Sequence, residues 1–236
     1  MKIDRGPGRF IGRQRELDQL GAAVTDVAAG LGGALLVAGS SGMGASRLLD
    51  ELESRIVEAP GQPLTQLRSD RLPAWRGDPY RPFRAALEAH LRTLAPSKVA
   101  SLFNPAAEFL GPFFAGIPGV PAIDVPGSGG PERRTERTLE AFRGLLGRLA
   151  ADRPVILFLE DLHEIDAATR DLVAFLARTA GHLPLLLAGT YQPDALTRTQ
   201  PLRATLEAID SGPRGVARIH LAPLSQPEVG ALIEAH

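Results

Sequence analysis

A glycine-rich turn between two apolar segments constrains the fold of this chain more than any other feature. The segment before the turn, Ala34–Ala38, is a short continuous apolar run, which predicts a buried strand. In the segment after it, apolar residues recur at helical spacing, and the pattern ends before Pro60. The residues of this helix face are Leu48, Leu49, Leu52 and Ile56. A strand, a tight turn and a helix in this order are typical of an α/β fold.

The turn matches the pattern G-x-x-x-x-G-K-[ST] of phosphate-binding loops at all but one of its fixed positions. Gly39, Gly44 and Ser46 match the pattern, whereas Ala45 stands where the pattern has lysine. Backbone N–H groups and the N-terminus of the helix can still bind phosphate oxygens. The lysine normally contacts the β- and γ-phosphates, so this loop lacks its strongest electrostatic contact. The residues that we expect to contact a nucleotide here are Gly39, Ser40, Ser41, Gly42, Met43, Gly44, Ala45, Ser46 and Arg47.

The composition of the 236-residue chain limits its functional classes. This length is enough for one sizeable α/β domain. A formal net charge of −1 provides no strongly basic surface, so we expect this segment to contact neither nucleic acid nor a membrane. The chain has no cysteine, so it forms no disulfide and no thiolate metal site. No apolar run approaches the ~20 residues of a membrane-spanning helix, and we expect a cytoplasmic location.

Further apolar patterns predict the rest of the core. Short apolar runs predict strands at 154–159 and 183–188, and weaker patterns predict strands at 64–68 and 216–221. Helical spacing predicts helices that carry Leu17–Val27, Phe83–Leu94, Leu139–Leu149 and Leu172–Leu176. Together they predict a three-layer P-loop NTPase sandwich with a mostly parallel five-stranded core sheet. The glycine- and proline-rich segment 111–131 interrupts this pattern, and we expect it to be an irregular excursion within the domain.

Two acidic residues follow the apolar run that ends at Leu159. We expect Glu160 and Asp161 to stand at the carboxyl end of a parallel strand beside the phosphate loop. Glu160 would then hold Mg²⁺ together with Ser46, and Asp161 would orient the attacking water. The usual metal ligand at this place is aspartate, and Glu160 is one methylene longer. Because Mg²⁺ demands near-ideal octahedral distances, we expect the longer side chain to displace the ion rather than abolish its binding.

Several segments, in order along nearly the whole chain, resemble one family of nucleotide-binding domains. These are the signal-transduction ATPases with numerous domains, or STAND ATPases, of the type found at the N-terminus of large LuxR-family bacterial transcriptional regulators. The matching segments are 10–17, 39–49, 77–83, 160–166 and 189–194. The resemblance implies a P-loop NTPase that binds ATP or ADP with Mg²⁺ and controls transcription.

The resemblance also implies further site residues. Ile11, Gly12 and Arg13 would lie near the adenine. Gln192 stands where the family has an arginine that senses the γ-phosphate, so the catalytic residues would be Asp161 and this degenerate sensor position.

The same resemblance implies the domain organisation. Residues 1–224 would form the NTPase domain, and residues 225–236 would begin a helical lid that continues beyond the last residue. Ser225 and Glu228 have the spacing of a capping box at the start of that helix. The partners would be an adenine nucleotide and other domains of a longer regulator chain, and self-association stays open.

Ala45 and Gln192 each remove a positive charge that would face a triphosphate. The favoured hypothesis is therefore a regulatory domain with weak ATP or ADP binding and little or no hydrolysis. The alternative is an active ATP-hydrolysing conformational switch, in which Ala45 is engineered or is compensated by a residue from elsewhere. A nucleic-acid motor or loader is disfavoured by the charge balance.

Overall fold

A computed structural model of the chain describes residues 10–58, 63–69, 78–122, 131–197, 200–210 and 216–234. Within these ranges the strands are β1 (Gly33–Ala38), β2 (Thr65–Arg68), β3 (Val155–Leu159), β4 (Leu185–Tyr191) and β5 (Ala217–His220). The helices there are α1 (Gln14–Ala28), α2 (Ala45–Glu58), α3 (Arg81–Leu91), α4 (Pro96–Phe103), α5 (Ala107–Leu110), α6 (Pro131–Asp152), α7 (Ala167–Thr179), α8 (Pro201–Asp210) and α9 (Gln226–Glu234). No helix in the described part of the chain is long and apolar enough to cross a membrane.

The strands form one five-stranded sheet in the order β2-β3-β4-β1-β5, and every neighbouring pair is parallel. Helices connect the parallel strands and cover both faces of the sheet, as such crossovers require. The expectation of an α/β sandwich with a mostly parallel five-stranded sheet is therefore confirmed.

Side chains of each strand alternate between two cores, one on each face of the sheet. Leu35 and Val37 of β1 point into a core that they share with α1 and α2. Leu36 points into a larger core that it shares with α3, α6 and α7. Each of these three side chains is at most 3% exposed. The sheet is buried on both faces, which explains why its central strands are continuous apolar runs.

The strand order corrects one expectation about the site. β4 lies between β1 and β3, so the strand that precedes Glu160 is not beside the strand that enters the glycine-rich loop. Leu36 of β1 and Leu159 of β3 both pair with Gly189 of β4. The ends of β1 and β3 are therefore two strand spacings apart, about 10 Å. The order of strands depends on contacts across the sheet, which the apolar runs do not encode.

The ends of two predicted elements, β4 and α3, differ from the structure by three residues each. β4 continues past its apolar run to Tyr191, because it pairs with β1 as far as Ala38. α3 ends at Leu91, and Leu94 packs against the core from beyond the end of the helix.

The described part of the glycine- and proline-rich excursion, residues 111–122, packs against the core. A 3-10 turn at Gly111–Phe114 follows α5 directly. Phe114 is 1% exposed, and its ring centroid lies 5.4 Å from that of Phe103. Residues 123–130 of this excursion lie outside the described residues, as do Gly77 of the resembling segments and the last two residues of the expected lid.

Candidate functional site

The glycine-rich loop joins β1 to α2 at the carboxyl end of the sheet. Gly42 and Gly44 have φ values of +81° and +86°, which residues with side chains rarely adopt. The N–H of Met43 donates to the carbonyl of Ser40 at 3.0 Å, which closes a turn within the loop. α2 begins directly after the loop, at Ala45, so the N-terminus of this helix opens onto the loop, and the first N–H groups of a helix have no acceptor within the helix. This backbone can bind an anion without a side-chain charge.

The side chains of the loop and the first turn of α2 differ in accessibility. Ser41 and Arg47 are exposed, whereas Ser40, Met43, Ala45 and Ser46 are partly buried. The methyl group of Ala45 brings no charge to the start of the helix, where the pattern has lysine.

The segment that was expected near the adenine lies against this loop. Arg13 is 9% exposed, and its Nη2 donates to the carbonyl of Met43 at 3.3 Å. Its Nη1 pairs with Glu16 at 3.2 Å. Gly12 and Arg13 have φ values of +74° and +60°, and Ile11 before them is partly buried. The structure thus brings Arg13 and Met43 together, although 30 residues separate them in the chain.

The first turn of α9 packs on the same segment. Glu228 accepts hydrogen bonds from the N–H of Ser225 at 2.7 Å and from its Oγ at 2.6 Å, as the capping-box spacing predicts. Its second carboxylate oxygen accepts the N–H of Arg13 at 3.3 Å. A Cβ at Gly12 would lie 2.4 Å from this oxygen, so only glycine allows the approach. The hydrogen bonds from Ser225, with a smaller contribution from Arg13, lower the pKa of Glu228.

Glu160, the expected metal ligand, forms an ion pair with a residue that the sequence patterns do not single out. The Glu160 side chain is 8% exposed, and its Oε1 lies 2.6 Å from Nη2 of Arg68. Arg68 is the last residue of β2, next to β3 in the sheet. Its guanidinium also pairs with Asp50 at 2.6 Å and with Glu53, both on α2. Arg68 therefore links Glu160 to the helix that begins at the glycine-rich loop.

The surroundings of Arg68 favour its charged form. Burial lowers the pKa of the guanidinium, but hydrogen bonds and charge from Glu160, Glu53 and Asp50 outweigh burial and raise the pKa above its ordinary value. The ring of Phe158 lies 5.5 Å from the guanidinium carbon, within the range of a cation–π contact. The only sequence signal for Arg68 is a charged residue at the end of a short strand.

Asp161 and Gln192 lie at the carboxyl ends of β3 and β4. Asp161 has a φ of +53°, and its N–H donates to Oγ1 of Thr190 at 3.0 Å. Gln192 directly follows β4, and the carbonyl of the preceding Tyr191 accepts the N–H of Gly39 at 3.1 Å. Sequence reasoning misses Thr190 as the link between the two strands, because a threonine in a buried strand carries no signal of its partner.

The arrangement around Glu160 does not suit a magnesium ligand. Mg²⁺ needs near-octahedral oxygen ligands and gives up its water reluctantly. Oε1 of Glu160 already holds the guanidinium of Arg68, so a divalent cation on the other oxygen, the buried Oε2, would face a fixed positive charge in a poorly hydrated place. Within the described ranges, no group of three or more acidic or histidine side chains is arranged to hold a metal ion.

Comparison with known proteins identifies the family. A profile described as the AAA ATPase domain matches residues 9–188, which is more than half of the chain. The chain belongs to this family. AAA ATPase domains generally bind ATP or ADP with Mg²⁺.

The individual proteins similar to this AAA ATPase domain share 30% or less of its sequence. It is 30% identical over 224 residues to an uncharacterized protein of Rhizobium meliloti (strain 1021), and the match covers 86% of this chain and 21% of that protein. Cdc6p from Pyrobaculum aerophilum is similar with a TM-score of 0.57 and 15% identity, over 99% of this chain and 51% of that one. The Aeropyrum pernix Orc1 protein in complex with DNA gives a TM-score of 0.47 and 18% identity, over 98% and 50%. The chain thus spans about a fifth of the curated relative and half of each solved structure.

Proposed function

We propose that this AAA ATPase domain is a nucleotide-binding regulatory domain that binds ATP or ADP weakly and hydrolyses ATP slowly or not at all. The observation that carries the proposal is the loop between β1 and α2. It retains the left-handed glycines and the open helix N-terminus of a phosphate site, while Ala45 occupies the position of the lysine.

We expect the domain to bind ADP more tightly than ATP. The backbone N–H groups of the loop and of the first turn of α2 suit the α- and β-phosphates. A γ-phosphate would meet Ala45 and Gln192, neither of which is charged. Losing one partner of a charged contact costs about 2–5 kcal/mol, so the extra charge of ATP gains little here.

Hydrolysis should suffer more than binding. Asp161 stands at the end of β3, where it could orient a water, and Thr190 holds its backbone. Charge that develops on the transferring phosphoryl group is normally stabilised by lysine and arginine. This site lacks both of these charges at Ala45 and Gln192, so correct placement of a water is not sufficient for turnover.

The resemblance to STAND ATPases is the basis for a proposal about the wider role of the protein. We propose that this domain acts as a switch within a longer cytoplasmic signal-transduction or transcription-regulator chain. Its partners would be an adenine nucleotide and the other domains of that chain, and the balanced charge favours nucleic-acid contacts elsewhere in the protein. The resemblance of segments 10–17 and 160–166 to STAND ATPases supports this role.

Calorimetric titration with ADP and ATP, together with steady-state hydrolysis, tests the proposal. We expect ADP to bind more tightly than ATP, and turnover to equal that of an Asp161→Asn control. Turnover clearly above this control would favour the alternative, an active ATP-hydrolysing switch in which another residue compensates for Ala45. If a folded chain bound neither nucleotide, the proposal would be wrong.

A further inference from the structure

We infer that nucleotide binding by this domain is independent of magnesium, because Glu160 already holds the guanidinium of Arg68. The inference rests on the proposed function and concerns how the charge of the same site is balanced. It assigns to Arg68 the role of a built-in counter-ion at the carboxyl end of β3.

The burial of the two partners supports this role. The side chains of Glu160 and Arg68 are 8% and 18% exposed, whereas Asp50 and Glu53 are 36% and 34% exposed. The contact with Glu160 is therefore the least screened of the three ion pairs of Arg68. An ionised carboxylate buried to this extent requires a positive partner, and the guanidinium supplies one at 2.6 Å.

The difference in hydration between the two cations favours the guanidinium. A guanidinium is weakly hydrated and matches a carboxylate with its planar donors. Mg²⁺ must lose tightly bound water before it can bind a protein carboxylate directly. Replacing Arg68 at Glu160 would exchange a weakly hydrated cation for a strongly hydrated one and would break the most buried ion pair of the cluster.

The surrounding structure holds the guanidinium of Arg68 beside Glu160. β2 pairs with β3 from Thr65 to Arg68, so the sheet itself places Arg68 beside the end of β3. The ion pairs with Asp50 and Glu53 hold the guanidinium from the side of α2. The ring of Phe158 packs against it from β3. The cation is thus fixed by groups on three elements.

The test is a calorimetric titration of the whole chain with ADP, once in excess MgCl₂ and once in EDTA. The variants are Arg68→Gln and a matched control, Arg55→Gln. Arg55 is also an arginine paired with an acid of α2, Glu51, but it is 48% exposed and this ion pair does not involve Glu160. Circular dichroism would check that each variant is folded.

We expect the dissociation constants of the unaltered chain and of Arg55→Gln to change by less than about twofold between MgCl₂ and EDTA. Arg68→Gln removes this guanidinium from the carboxylate of Glu160, so Mg²⁺ should strengthen ADP binding by this variant at least about fivefold. A second readout needs no nucleotide: MgCl₂ should leave the Tm of the unaltered chain unchanged and should raise that of Arg68→Gln.

The outcomes separate the two proposals. If MgCl₂ strengthened ADP binding by the unaltered chain about tenfold or more, the inference would be overturned while the proposed function would stand. If Arg68→Gln were folded but its ADP affinity were as insensitive to Mg²⁺ as that of the unaltered chain, the role assigned to Arg68 would be refuted. If Arg68→Gln did not fold, the comparison on the unaltered chain would decide the inference alone. Absence of ADP binding in every folded chain would overturn the proposed function, and this inference with it.

Discussion

Glu228 accepts a hydrogen bond at 3.3 Å from the backbone N–H of Arg13, a residue 215 positions earlier in the chain. The contact joins the first turn of α9 to the segment that lies against the glycine-rich loop. The side chain of the same Arg13 also donates to the carbonyl of Met43 within that loop. Arg13 therefore contacts both α9 and the candidate phosphate site.

Protonation of Glu228 should loosen α9. Its pKa is lowered in the folded chain, so its contribution to stability is present above the ordinary carboxyl pKa of 4.5 and is lost as the pH falls through the lowered value. We expect hydrogen exchange of the α9 amides to lose protection in this acidic window relative to the rest of the chain. Glu228→Gln should show weak protection at neutral pH already, whereas Glu234→Gln on the same helix should behave as the unaltered chain. Equal protection in the two variants would contradict the role of Glu228.

Restoring the missing charge should strengthen ATP binding. Ala45→Lys places an ammonium at the start of α2 and should raise ATP affinity at least about tenfold, or ~1.4 kcal/mol. Ala45→Met, with similar length and no charge, is the matched control and should not. Titration calorimetry measures both. If Ala45→Lys folds but binds ATP no better than Ala45→Met, the cleft does not accept a triphosphate and the domain is a scaffold.

Restoring a second positive charge should raise turnover by more than the two single effects multiplied together. Gln192→Arg restores the position that senses the γ-phosphate in the resembling family. Hydrolysis by Ala45→Lys alone should recover only in part, and the double variant should exceed the product of the single effects, because neighbouring charges on one phosphate are coupled. Turnover of the four chains under one set of conditions measures this coupling. Simple multiplication of the single effects would show that the two side chains do not share a phosphate.

Two glycines of the excursion test whether it is packed. Gly116 and Gly119 have φ values of +87° and +93°, so alanine is strained at both and costs about 1–2 kcal/mol. A Cβ at Gly116 meets nothing within 4 Å, whereas one at Gly119 would lie 2.1 Å from the carbonyl oxygen of Pro96. We therefore expect Gly119→Ala to lower the free energy of unfolding by about 1–3 kcal/mol more than Gly116→Ala. Equal losses in urea denaturation would mean that the excursion does not pack against α4.

The hydroxyl of Thr190 should matter more than its methyl group. Thr190 is 3% exposed and accepts the N–H of Asp161. Thr190→Val keeps the shape but leaves that N–H without its acceptor, which should lower the free energy of unfolding by about 1 kcal/mol. Thr190→Ser keeps the acceptor and should lower the free energy of unfolding by a smaller amount. If urea denaturation gave the serine variant a lower free energy of unfolding than the valine variant, this account would be wrong.

Local elements of this chain are predictable because each depends on nearby residues. The run Ala34–Ala38 and the glycines after it define β1 and its loop, and the spacing of Ser225 and Glu228 defines the start of α9. The contacts that organise the site are not predictable in this way. The ion pair of Arg68 with Glu160 spans 92 positions, and it exists only because β2 lies beside β3.

The packing of the excursion shows a different limit of sequence patterns. Glycine and proline predict neither an α-helix nor a strand at Gly111–Phe114; these residues form a 3-10 turn, and the ring of Phe114 is buried. Periodicity detects burial only in regular elements, so a single aromatic side chain in an irregular segment gives no repeat to recognise.

The central place of β4 has a consequence for how this site can change over evolution or by engineering. Tyr191 binds Gly39 at the entrance of one loop, and the adjacent Thr190 binds Asp161 and Leu162 in the other. Loop residues can be exchanged one at a time without disturbing these anchors. An insertion or deletion before Thr190 in β4 would instead move both anchors together and turn each side chain to the opposite face. Grafting a new loop onto this scaffold therefore requires β4 to keep its length, whatever the loop contains.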